Sequence, residues 1–154
     1  DALLVETVRR AAQAAPHVRM SLASVEPAVV DGDADRLREL FGILLDNAAR
    51  YTPAGGAITV HMSVEGQSVR VLVEDTGVGL DEDEQEHVFE RLYRGARARR
   101  MRPSGTGLGL AIARWIAEAH GGSVTLRNRS SAGAPPHGAI ATVTLPAAET
   151  STGV

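Results

Sequence analysis

Four short segments follow one another in an order that few folds can use. Asp46-Asn47-Ala48-Ala49-Arg50-Tyr51 comes first and Asp75-Thr76-Gly77-Val78-Gly79-Leu80 second. Val88-Phe89-Glu90-Arg91-Leu92-Tyr93-Arg94 is third, and Gly105-Thr106-Gly107-Leu108-Gly109-Leu110 is last. A chain containing them must seat an amide side chain, a carboxylate backed by glycines, and a glycine loop that opens a helix. Glycine removes the Cβ that would keep a ligand off the backbone, and the unpaired N–H groups at a helix start attract anions. Together they predict a nucleotide pocket, which none of them predicts alone.

The periodicities around these segments predict one mixed α/β domain. Leu3, Leu4, Val8, Ala11, Ala12 and Ala15 recur at helical spacing until Pro16. Residues 18–25 alternate as a strand, with 28–30 as a short partner. Leu37, Leu40, Phe41, Leu44, Leu45, Ala48 and Tyr51 make the longest apolar stripe, with Asp33 and Asp35 as N-cap candidates and Thr52-Pro53 as its stop. Residues 57–64 and 68–74 read as a hairpin around Glu65-Gly66-Gln67. One or two helical turns are expected over 81–92. Leu108, Ile112, Trp115, Ile116 and Ala119 form the last helical stripe, with Trp115 expected in the core, and Gly121-Gly122 ends it. Residues 123–128 and 139–145 complete the sheet. The domain is expected to span 1–146, with a mobile arginine-rich stretch at about 94–106 and a flexible tail over 147–154.

The chemistry is carried by a few side chains. Asn47, Arg50 and Tyr51 stand at i, i+3 and i+4, so one helix can offer an amide oxygen for Mg²⁺ and a guanidinium for a phosphate. The same residues also suit the exposed face of an ordinary amphipathic helix. Asp75 ends a strand and can accept a hydrogen bond from an adenine amine, with Gly77 and Gly79 clearing room for the base; a plain capped turn has the same spelling. Gly105, Thr106, Gly107, Leu108 and Gly109 open the last helix, where phosphates can meet its free N–H groups, or else form a hinge.

Composition closes off other classes. The net charge of −3 and the scarcity of aromatic side chains argue against a nucleic-acid-binding face. Without cysteine there is neither a disulfide framework nor a thiolate metal site. No apolar run approaches the roughly 20 residues that span a bilayer, and Asp1 opens directly on an amphipathic pattern, as in a soluble piece of a larger protein.

The four segments resemble the N, G1, F and G2 boxes of the catalytic and ATP-binding domain of two-component sensor histidine kinases, in the gyrase, Hsp90, histidine kinase and MutL superfamily. The resemblance runs from about Asp33 to Pro146. It implies a Bergerat-type ATP-binding fold of the α+β class: a two-layer α/β sandwich, with a mixed, mostly antiparallel sheet and helices on one face. It implies Asn47 as the Mg²⁺ ligand, Arg50 at the phosphates in place of the usual lysine, Asp75 at adenine, and Phe89 and Tyr93 anchoring an ATP lid. By the same resemblance the domain is monomeric and cytoplasmic. The parent is then a homodimer in the bacterial membrane, whose separate dimerisation domain bears the acceptor histidine and signals to a response regulator.

Three departures bear on mechanism. Ile43 replaces the family's second asparagine, which moves metal binding toward water, Asp46 or Glu39. In the ATP-hydrolysing branches a glutamate at that position acts as the base for water, a role isoleucine cannot fill. At the start of the last strand Ala139, Ile140 and Ala141 carry no hydroxyl, which leaves Thr142 as the candidate for the adenine pocket. His17, His61, His87, His120 and His137 lack the acceptor-helix pattern, and His120 suits a helix C-terminus by its dipole. Two other functions share this pocket: a nucleotide-binding regulatory module without transfer, and a serine kinase of the anti-sigma type.

Overall fold

The computed structural model describes residues 1–80, 109–129 and 138–149. Helix α1 spans Ala2–Ala14, strand β1 Arg19–Val25, helix α2 Ala34–Arg50, β2 Ala57–Glu65, β3 Ser68–Asp75, helix α3 Gly109–Ala119, β4 Ser123–Asn128 and β5 Ala139–Pro146. The strands lie in the order β1-β2-β3-β5-β4, with β1 parallel to β2 and every other pair antiparallel. The expected turns over 81–92, the lid over 94–106, and Phe89, Tyr93, Gly105, Thr106, Gly107 and Leu108 all fall outside the described residues.

Alternation decides which face of the sheet is covered. Ile58, Val60 and Met62 on β2, Val69, Val71 and Val73 on β3, and Ala141, Val143 and Leu145 on β5 are buried, while their sequence neighbours are half-exposed or exposed. The helices lie on that one buried face, making the expected two-layer sandwich. Residues from Leu4 to Leu145 join a single apolar core.

Helix α2 organises the helical layer. Asp33 caps it, its Oδ1 accepting from Asp35 N at 2.9 Å and Arg36 N at 3.2 Å, so Asp35 sits in the first turn instead of at the cap. At the far end the buried Thr52 hydroxyl donates to Ala48 O at 2.7 Å and satisfies one of the last helical carbonyls.

Several expectations need correction. Residues 28–30 form no strand, because Ala28 N donates to the Asp1 carboxylate and Val29 O accepts from Ala148 N. The expected tail starts bound: Ala147 N donates to Gln67 O and Ala148 N to Val29 O, each at 2.8 Å. Trp115 is 60% exposed, because α3 turns its small side chains, Ala113 and Ala117, inward with Ile116. The Arg36 guanidinium lies 5.9 Å from the Trp115 ring centroid, at cation–π range.

His120 also has a more specific role than the helix dipole suggests. Its Nε2 accepts from Asp33 N at 3.1 Å, which leaves the ring proton on Nδ1 to donate to Ile116 O at 2.8 Å. One imidazole therefore ties the end of α3 to the start of α2. His120→Ala is expected to destabilise the chain by about 1–2 kcal/mol, about 1 kcal/mol for each hydrogen bond. Urea unfolding measures the loss, and an unchanged midpoint would show that the bridge contributes nothing.

Candidate nucleotide site

Asp75 is the last residue of β3 and falls on the buried side of its alternation, leaving it 7% exposed. Its Oδ1 accepts from Gly77 N at 2.9 Å and from Ala139 N at 3.1 Å. Oδ2 has no hydrogen-bond partner among the described residues. Burial pushes the Asp75 carboxyl above the ordinary value of 3.8, against the smaller opposing pull of those two N–H groups and of the Arg129 charge. An external donor at Oδ2 would favour the ionised form.

The turn after Asp75 packs directly on the end of α2. Val78 N donates to Tyr51 O at 3.1 Å, and a Cβ on Gly77 would lie 2.2 Å from that same carbonyl oxygen. Gly77 is therefore needed for contact with α2 as well as for any room it leaves a base. Leu80, which closes the turn, is held by an amide that sequence reading did not single out. Asn128 at the end of β4 accepts from Leu80 N through Oδ1 and donates to Leu80 O through Nδ2. Nothing in a strand-end asparagine signals a contact across 48 residues of chain.

The other side of the site is helical. A Cβ on Gly109, the first residue of α3, would lie 3.3 Å from Ile43 Cγ2. The start of α3 thus meets α2 one turn before Asn47, on the same stripe. Asn47 is half-buried and its side-chain amide has no hydrogen-bond partner among the described residues. An amide oxygen without a partner among the described residues, near the start of a helix, fits a cation beside an anionic ligand.

Two expected members stand apart. Arg50 pairs through Nε with Asp46 Oδ2 at 3.1 Å, and both line a groove of about 480 Å³ between α1 and α2 with Glu6, Arg10 and His17. Thr142 pairs with Leu72 and Thr125 on the parity opposite to Ala141 and Asp75, so its hydroxyl lies on the other face of the sheet. Glu39, a candidate metal ligand, is engaged by Arg36 at 2.9 Å.

Residues 32–149 match the family of histidine kinase-, DNA gyrase B-, and HSP90-like ATPases. The sensor histidine kinase RppB of Synechocystis is 41% identical over 115 residues, covering 75% of this chain and 24% of RppB. The chain thus spans about a quarter of that relative's length. The mycobacterial sensor histidine kinase MprB superposes with a TM-score of 0.84 at 29% identity, over 94% of this chain and 93% of the MprB chain. Full-length ShkA in complex with AMPPNP superposes with a TM-score of 0.76 at 27% identity, over 97% of this chain and 30% of that one. With the family match covering residues 32–149 and the fold superposing on sensor histidine kinase domains, the chain belongs to the histidine kinase-, DNA gyrase B-, and HSP90-like ATPase family, and within it to the ATP-binding domains of sensor histidine kinases.

Proposed function

We propose that the chain binds ATP with Mg²⁺ and presents the γ-phosphate for transfer to a histidine on a separate dimerisation domain of its parent, a two-component sensor histidine kinase. The Oδ2 of Asp75, which has no partner among the described residues, carries this reading. A buried polar atom without a partner is unfavourable, and the amine of adenine supplies the donor that guanine lacks at that place. The ShkA structure contains an adenine nucleotide, AMPPNP, which supports the same ligand class here.

Around that anchor the roles follow from chemistry. Asn47 would supply one amide oxygen to Mg²⁺, and the bound ion would neutralise phosphate charge. Among the described residues no group of three or more histidine or carboxylate side chains gathers to hold a metal by itself. Arg50 is half-exposed in its pair with Asp46, and such pairs are worth about 0–1 kcal/mol, so a phosphate oxygen can take the place of Asp46. Gly105, Thr106, Gly107, Leu108 and Gly109 serve the phosphates at the head of α3, and Phe89 and Tyr93 anchor the lid, on the strength of the family resemblance.

Transfer needs little from this chain beyond positioning and charge neutralisation: the acceptor nitrogen forms a bond to the γ-phosphorus as the bond to the ADP oxygen breaks. Ile43 lies against Gly109 and has no atom that can take a proton from water, so hydrolysis is not assisted there. His17, which contacts Ala49 O at 2.9 Å, and His120 are engaged with backbone, and the acceptor belongs to the parent. That parent is a homodimer in the bacterial membrane with this domain on the cytoplasmic side, and its phosphohistidine passes the phosphoryl group to a response regulator. Among the described residues no helix is long and apolar enough to cross a membrane.

Incubation with Mg²⁺ and labelled ATP, with and without a separately prepared histidine-bearing hairpin domain, tests the proposal. Label is expected on the hairpin histidine only, with no self-labelling and no appreciable phosphate release by the chain alone. Label on a serine of a partner protein would favour the anti-sigma type, and no label anywhere a regulatory module. Asn47→Ala is expected to weaken ATP binding about tenfold in Mg²⁺, the worth of one contact of about 1.4 kcal/mol, and much less with the metal chelated. Calorimetric titration measures both, and an unchanged metal dependence would move the ion to Asp46 or Glu39.

A further inference from the structure

We propose that Asn128 is a positioning residue for the adenine site, acting through the backbone of Leu80; this rests on the ATP-binding reading above. The turn from Asp75 to Leu80 is held at its start, its middle and its end, besides the hydrogen bonds between Thr76 and Ala57. Its start is fixed by Ala139 N on Asp75 Oδ1, its middle by Val78 N on Tyr51 O, and its end by the two hydrogen bonds between the Asn128 amide and Leu80. Asn128 and Ala139 face each other in register as the last pair of β4 and β5. One rung of the sheet therefore holds both ends of the turn, Ala139 by its backbone and Asn128 by its side chain.

The side chain matters because the turn has little stiffness of its own at that end. Gly79, immediately before Leu80, stands at φ +71°, a conformation that glycine enters and leaves without a Cβ barrier. The Asn128 amide offers the donor and acceptor of a peptide group and pairs with Leu80 as a neighbouring strand would, although Leu80 belongs to no strand. Without it Leu80 would be ordered only when nucleotide arrives, and ordering one backbone residue corresponds to about tenfold in affinity.

The test compares the chain with Asn128→Ala by calorimetric titration of ATP and ADP and by amide hydrogen exchange without nucleotide. In the unsubstituted chain the Leu80 amide is expected to be protected before nucleotide is added. In Asn128→Ala it should exchange freely while Leu126 and Ala141 in the strands keep their protection. The Kd should rise about tenfold for ATP and for ADP alike, since the turn serves the base and not the γ-phosphate. A freely exchanging Leu80 in the unsubstituted chain would overturn the proposal, as would an unchanged Kd in the variant. A rise in Kd accompanied by lost protection in the strands would also overturn it, because that marks a general structural defect. If the unsubstituted chain binds no ATP, the ATP-binding reading itself fails, a result distinct from normal binding that Asn128→Ala leaves unaffected.

Discussion

Asp75→Asn is expected to weaken ATP binding by about 10- to 150-fold while leaving the chain folded, the equivalent of losing one charge-assisted hydrogen bond of about 1.5–3 kcal/mol. Asparagine is the informative replacement because Oδ1 already has two structural partners. Its amide oxygen can still accept from Gly77 N and Ala139 N, whereas its NH₂ presents a donor to the adenine amine where Oδ2 presented an acceptor. Asp75→Ala removes both functions and leaves two N–H groups without their acceptor, so lost affinity and lost stability would arrive together. Calorimetric titration with ATP and GTP, alongside thermal unfolding, checks the pair. Equal binding of ATP and GTP by the unsubstituted chain would remove Asp75 from the base site.

The same carboxylate carries a pH dependence whose sign follows from its burial. The folded chain holds the Asp75 proton more tightly than the unfolded chain, whose value is near 3.8. Its contribution to stability is fully present below that value and is lost as pH rises through the raised folded value. Asp75→Asn should abolish this decline. ATP binding draws on the ionised form, so affinity should fall as pH drops through the folded value in the unsubstituted chain and stay flat there in Asp75→Asn.

Gly138→Ala is expected to lower stability by about 4 kcal/mol, a fall in Tm of about 10 °C for a chain of this size. Gly138 stands at φ +97°, and a Cβ there would lie 1.8 Å from Asp75 O and 2.7 Å from Asp75 C, backbone atoms that cannot swing aside. The comparison is Gly66→Ala in the β2–β3 hairpin, at φ +60° with nothing within 4 Å of the added Cβ. Only the left-handed backbone opposes it, so about 1 kcal/mol is expected. Equal losses in the two variants would show that the contact between Gly138 and Asp75 is not what limits the site.

The elements were legible where a local period or cap announces them. The apolar stripe of α2 and the alternating hairpin of β2 and β3 were readable because burial on one face imposes a period on the chain itself. Trp115 was misread because helical spacing identifies a stripe without saying which neighbour it meets; Ala113 and Ala117 let α3 pack inward by their small side chains. Thr142 was misread because a hydroxyl in the right strand says nothing of parity relative to Asp75, which register alone sets.

The residue types of the site, an amide on α2, a carboxylate at the end of β3 and glycines after it, were determined by the sequence by itself, because each has a local reason to stand beside a turn or a helix end. Tertiary structure alone decided their partners. It committed Oδ1 of Asp75 to Gly77 and Ala139 and left Oδ2 without a partner among the described residues, paired Arg50 with Asp46, and brought Asn128 to Leu80. These contacts join segments far apart in the chain, and hydrogen bonding and exclusion depend on separations of a few tenths of an ångström, which appear only once the sheet and helices are packed.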